Sequence, residues 1–275
     1  IWMVFAGSRE ISFWTQYWFN IGAHYGVTEE GNPYERVYSF VMIAAASIIL
    51  IKRKINWQEL FVKNGWIWAY FAFAAISFVW SDYPYVSFKR WIRVLGTVSM
   101  SLIIMTEVSP YKAIGLILRR MAFLLLPLSV LFIWYYSNLG KAYHHFSGAQ
   151  MFTGVTDHKN ALGSLCMITG IYFSWNLLLG HLQKMKAEQK LHYLIYVIFI
   201  PMTAWLLFKA NSATSLACLI AAICLFVVAR QRMMVENPGS LFTLGIVCIV
   251  LFGLLEWAFD ASDTVIAMLG RRPDL

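Results

Sequence analysis

Three stretches of this chain carry side chains able to grip a phosphorylated or hydroxyl-rich ligand. The densest is Gly154-Val155-Thr156-Asp157-His158-Lys159-Asn160-Ala161-Leu162-Gly163, where four polar or charged residues run straight into an apolar segment. Charges so close to a hydrocarbon-length segment are costly unless they face water, a partner or an anionic ligand. Lys159 and the start of a helix both offer positive potential to an anion. Asn160 reads as the cap of that helix. His158 is the one histidine worth testing for chemistry, with orientation or hydrogen bonding favoured over acid–base work.

The second stretch runs from Ser81 to Arg93 and holds Lys89, Arg90 and Arg93. Residues 90 and 93 share a helical face by their spacing of three, and paired guanidinium groups can hold a phosphate bidentately. Beside Trp91 the same cations could simply snorkel at a membrane interface. The third stretch is Lys209-Ala210-Asn211-Ser212-Ala213-Thr214-Ser215. Lys209 reads as a binding residue. Ser215 reads more as a helix-packing residue, although both Ser212 and Ser215 could donate to a sugar or phosphate. His144-His145 looks like a metal pair, but adjacent loop histidines seldom ligate one ion and no carboxylate cluster follows, so no metal site is expected. His24 reads as a loop residue, and His181 and His192 as structural.

The elements that hold these residues are membrane helices. Of the 275 residues, 60% are hydrophobic and 13% charged, where a soluble domain carries about a quarter charged. Mean hydropathy is +0.62. Apolar segments recur along the whole length, which a secretory signal alone does not explain. They fall near 37–51, 65–80, 94–107, 121–136, 161–180, 191–208, 214–229 and 241–259, with residues 1–7 as the tail of an earlier helix and 8–36 as a mixed polar and aromatic loop. Several are shorter than the roughly 20 residues a bilayer asks for. Flanking aromatics such as Trp66, Trp80, Trp91, Tyr135 and Tyr136 can extend them to the interface. Pro127 and Pro201 lie inside spans and read as tolerated kinks. The expectation is an all-α, polytopic transmembrane bundle of about eight spans plus a partial first helix, forming a single transmembrane domain over 1–275. The opening on Ile1 and the close on Arg271-Arg272-Pro273-Asp274-Leu275 read as a piece missing both ends.

Cys166, Cys218, Cys224 and Cys248 all fall in apolar segments and read as small packing residues, not a disulfide frame or zinc site. The net charge of +8 accompanies no basic block in a soluble fold, so nucleic acid is not the expected partner. Membrane orientation and anionic, lipid-linked substrates account for it better. One set of loops carries twelve cations, including Lys52, Arg53, Lys112, Arg119, Arg120 and Lys184, and reads as cytoplasmic; the other carries ten. The outer set sits close to span ends, where an anionic ligand gives cations a reason to remain.

With these outer motifs together, the chain resembles the O-antigen ligase and polymerase superfamily of bacterial membrane glycosyltransferases. The resemblance rests on Trp80-Ser81-Asp82 with Ser87-Phe88-Lys89-Arg90, on Gly154 to Gly163, on the Ser212–Ser215 cluster, and on Gly270-Arg271, which looks like the start of the family's Gly-Arg motif. It covers about Trp66 to the end. It implies a GT-C-like fold in the bacterial inner membrane. It also implies transfer of a glycan from a polyprenyl diphosphate carrier to a saccharide or glycolipid acceptor at the periplasmic face, without metal or nucleotide cofactor. The usual candidate base is a histidine in a large periplasmic loop, which here begins near Asp260, so its counterpart is expected beyond Leu275 and this piece is expected to be inactive alone. Two departures stand out. Many ligases carry Arg directly after the serine at Ser212, where this chain has Ala213; the Ser-x-Thr-Ser form looks more like the exopolysaccharide polymerase branch. Arg272 stands where the family often has Asp. The competing class is a transporter of lipid-linked sugar, which calls for an internal repeat and a mid-membrane site; no repeat is evident and the charges gather at one face.

Overall fold

The computed structural model describes residues 2–19, 33–53, 55–143, 148–180 and 187–229, together with 239, 243, 245 and 246. His24, His144-His145, His181, the outer segment from 260 with Arg271, and most of the expected span at 241–259 lie outside them. The described chain is helical apart from one two-stranded hairpin. It divides into two compact units at Leu125/Leu126.

The first unit holds α1 (Trp2–Ala6), α2 (Ile11–Phe19), α3 (Pro33–Lys52), α4 (Trp57–Lys63), α5 (Gly65–Ile76) with a 3-10 turn at Ser77–Trp80, α6 (Pro84–Met105) and the start of α7 (Pro110–Tyr135). The expected loop at 8–36 is therefore partly helical. The aromatic run of Ile11–Phe19 starts a helix at the Glu10 carbonyl, which accepts from the N–H of Phe13 and of Trp14. Pro33 then opens α3 at a position where its missing N–H costs nothing, with Glu35 in the favourable first turn. Lys112, Arg119 and Arg120, expected in a loop, lie within α7 instead, because the helix begins about three turns before the apolar stretch expected at 121–136.

Helices α3 and α6 run in the same direction. Arg93 meets Glu35, Gly96 lies against Ile43, and Arg53 reaches the Ile103 carbonyl at 2.6 Å and Thr106 Oγ1 at 2.9 Å. Arg53 also pairs with Glu107. The guanidinium thus closes the C-terminal end of α6, where unpaired carbonyls welcome a cation. The Lys89–Arg93 cluster and the Arg53 cluster sit at opposite ends of this helix pair.

The second unit holds the rest of α7, a single turn α8 (Ser137–Gly140), the strands β1 (Lys141–Tyr143) and β2 (Gln150–Phe152), then α9 (Lys159–Gly180), α10 (Ala187–Ala210) and α11 (Ala213–Ala229). The strands pair antiparallel, Lys141 opposite Phe152 and Tyr143 opposite Gln150. Helix α9 packs against both α10 and α11. The core includes Leu162, Leu165, Cys166, Phe173, Leu206 and Leu207. Helices α7 and α10 continue through Pro127 and Pro201.

Among the described residues, three helical segments are long and apolar enough to cross a membrane, Tyr34–Lys52, Pro110–Tyr135 and Lys159–Leu178. Three apolar stretches are shorter: Gly65–Trp80, Ile195–Ala210 and Ala213–Ala229. The eight expected spans are not reached among the described residues. Helix α6 has the length, 22 residues, but Lys89, Arg90 and Arg93 interrupt its first half.

Candidate functional site

In the second unit the residues after β2 form a tightly fixed loop that delivers Lys159 to the start of α9. The Gly140 carbonyl accepts from the N–H groups of Thr153 (2.9 Å) and Gly154 (3.1 Å). Gly154 adopts φ +55°, a conformation cheap only for glycine, and its bare Cα faces Ser129, whose hydroxyl accepts from the Val155 N–H at 3.3 Å. Thr156 Oγ1 lies 2.8 Å from the Thr153 carbonyl oxygen and 3.0 Å from that of His158. Residues 153 to 156 are buried; Asp157, His158 and Asn160 are exposed and Lys159 is half-buried. The loop is thus anchored from beneath while its polar crest faces outward.

Helix α9 starts at Lys159, two residues earlier than a cap at Asn160 requires. The His158 carbonyl takes the first helical bond, from the Leu162 N–H at 3.1 Å, so His158 stands at the cap position and Asn160 lies in the first turn. The cause is the turn before it: Thr156 holds the backbone so that the helix begins as soon as the loop ends.

Lys209 ends α10 at the same end of this unit. Its ammonium lies 5.2 Å from the centroid of Phe152 and 5.8 Å from that of Trp205, a distance at which an aromatic face attracts a cation. Asn211 then takes φ +48°, in the left-handed region that Asn tolerates better than most residues, and α11 begins two residues later. Ser212 and Ser215 turn inward. They are 3% and 6% exposed, their hydroxyls are 3.0 Å apart, and both press on Gly163 of α9. These two side chains pack the helices, the role favoured for Ser215 from the sequence, and in this arrangement both hydroxyls lie against Gly163. What the packing achieves is to set the N-terminal ends of α9 and α11 side by side, next to the C-terminal end of α10.

In the first unit Lys89 stacks over Tyr85, 3.9 Å from the ring centroid. Arg90 is exposed, with no hydrogen bond or ion pair among the described residues. Arg93 does not act with it: its Nη2 lies 2.7 Å from Glu35 Oε2, and Glu35 also accepts from Ser12 Oγ at 2.8 Å. A bidentate grip shared by Arg90 and Arg93 is therefore replaced by one outward arginine and one engaged arginine. Glu35, Ser12, Phe152, Trp205 and Ser129 were not marked by the sequence as site residues. The Gly-containing run at 154 was the one signal that pointed to the loop.

The chain matches no family model, no curated protein and no solved structure.

Proposed function

We propose that this chain transfers a glycan from a polyprenyl diphosphate carrier to a saccharide acceptor at the periplasmic face of the bacterial inner membrane, as a multi-pass ligase of the O-antigen type, with the polymerase of the same superfamily as the alternative. The observation that carries the reading is the convergence of Lys159 and Lys209 at one end of the second unit. Each is held by an anchored structure, and each stands next to a membrane-length or apolar helix.

In such a transfer the acceptor hydroxyl oxygen bonds to the anomeric carbon. The bond from that carbon to the diphosphate oxygen breaks and the electron pair leaves with the diphosphate. The hydroxyl proton passes to a base. Negative charge grows on the diphosphate as the bond opens, so cations already in position favour the transition state over the ground state. Lys159, with the α9 N-terminus behind it, and Lys209 fill that role in this reading; Arg90 is an outward cation of the first unit and is tested separately. His158, exposed beside Lys159, is suited to orienting the ligand through a hydrogen bond.

The test is the size profile and attachment of surface glycan in the source cell after deletion of the gene. Long chains that remain on the lipid carrier mean a ligase. Single repeat units without a ladder mean a polymerase. A profile that is unchanged contradicts both.

A further inference from the structure

The first unit contains a cavity of about 300 Å³ between α1, α2, α3 and α6, at the small end of the range for ligand pockets. Its wall is mostly apolar, with Trp2, Phe5, Met42, Ile43 and Met100 among the lining residues. At one place it is charged. Glu10, Glu35 and Arg93 all line it.

The charged corner has an unusual composition. Glu35 already accepts from Ser12 and Arg93, and the side chain of Glu10 is hydrogen-bonded to it as well. Two carboxyl groups in contact need a proton or a cation between them. Arg93 uses one nitrogen on Glu35, and its side chain remains 61% exposed, so further N–H donors of its fork are accessible. Tyr38 follows Glu35 by three residues and so shares its helical face. It also lines the cavity, and its hydroxyl is buried with no hydrogen-bond partner among the described residues. A buried unpaired hydroxyl is rare enough to imply a missing partner.

We propose that this cavity is a binding site for a membrane phospholipid with a primary-ammonium headgroup. The first part of one acyl chain fills the apolar part. The ammonium, with three N–H donors, takes the place between Glu10 and Glu35 that otherwise needs a shared proton. The lipid phosphate accepts from the outward edge of Arg93, and the Tyr38 hydroxyl donates to a glycerol ester carbonyl. The order of charges decides the ligand class. A carboxyl pair next to a guanidinium complements a cation next to an anion, which is the pattern of a zwitterionic headgroup. A choline headgroup has no N–H to give, and a glycerol headgroup has no cation. Glu35 sits in the first turn of a membrane-length helix, the level at which a headgroup lies. A polyprenyl diphosphate has no ammonium, so this site is separate from the proposed donor site, and its failure leaves that reading standing.

The test uses the full chain purified in mild detergent. Native mass spectrometry reads the retained lipid, and thermal unfolding is followed as phosphatidylethanolamine, phosphatidylcholine or phosphatidylglycerol is added in mixed micelles. The expected result is one retained phosphatidylethanolamine and a rise in Tm with that lipid alone. Tyr38→Phe removes only the unpaired hydroxyl and is expected to weaken phosphatidylethanolamine binding about fivefold, the worth of one hydrogen bond, without lowering Tm in lipid-free detergent. Thr97→Phe, from an exposed position on the cavity wall, is expected to abolish retention. Equal effects of the three lipids, no retained lipid, or unchanged binding by Tyr38→Phe would overturn the proposal.

Discussion

Gly163 and Ser212 touch so closely that a Cβ built on the glycine stands 2.6 Å from the Cβ of the serine. No ordinary side-chain contact is that short, and the serine Cβ cannot rotate away. The closeness sets α9 against α11 and with it the relation of Lys159 to the turn after Lys209. Gly163→Ala is expected to destabilise the protein by about 1–3 kcal/mol through overpacking. Thermal unfolding in detergent checks this; a Tm equal to that of the parent would show that the two helices separate freely.

The loop that carries His158 and Lys159 depends on Gly154. A side chain there meets both a positive φ of +55° and the Ser129 Cβ at 2.8 Å. Gly154→Ala is expected to cost about 1–3 kcal/mol and to lower activity along with the amount of folded protein. Ser129→Ala removes the acceptor for the Val155 N–H and is expected to cost about 1–2 kcal/mol, since a buried N–H loses its partner. Both are measured by thermal unfolding of purified variants.

Lys209 is held by aromatic faces. Replacing Phe152 by Leu keeps an apolar contact and removes the ring 5.2 Å from the ammonium. The expected loss is about 0.5–1 kcal/mol in the position of that cation, read as a modest fall in glycan transfer with unchanged membrane abundance. Lys209→Met is expected to reduce transfer far more than Phe152→Leu, because it removes the charge itself. Equal effects would assign Lys209 to packing.

At the other end of the first unit, Arg53 gathers the Ile103 carbonyl, Thr106 and Glu107. Arg53→Ala is expected to destabilise by about 1–2 kcal/mol through loss of charge-assisted bonds at a helix end, and to leave transfer per folded molecule unchanged. The comparison of Tm with transfer normalised to abundance separates these effects.

The helical architecture was legible because apolar runs of membrane length have few alternatives. Lys159 to Gly180 was read within two residues of its observed start. What was not legible depended on pairs distant in sequence. Arg93 reads as a partner of Arg90 from spacing alone, and only the fold brings Glu35, 58 positions away, to within 2.7 Å of it. Ser212 and Ser215 read as ligand or packing residues, with packing favoured only for Ser215, because a hydroxyl beside a helix start serves both; Gly163 lies against both side chains. Helix α2 was hidden because its aromatic and polar residues do not form a run long enough to signal a span. The extra turns of α7 were hidden because Lys112, Arg119 and Arg120 look like loop charge.

The most direct test of the central claim is glycan transfer in a deletion strain complemented with full-length Lys159→Ala or Arg90→Ala, with membrane abundance measured in parallel. Neither residue is part of a buried contact, so both variants are expected at normal levels. The account predicts that Lys159→Ala lowers transfer by roughly a hundredfold, the scale for removing one preorganised charge partner of the transition state, and that Arg90→Ala lowers it as well. Wild-type glycan from Lys159→Ala at normal abundance would contradict a transfer site at Lys159, and the same result from Arg90→Ala would separately remove Arg90 from the account.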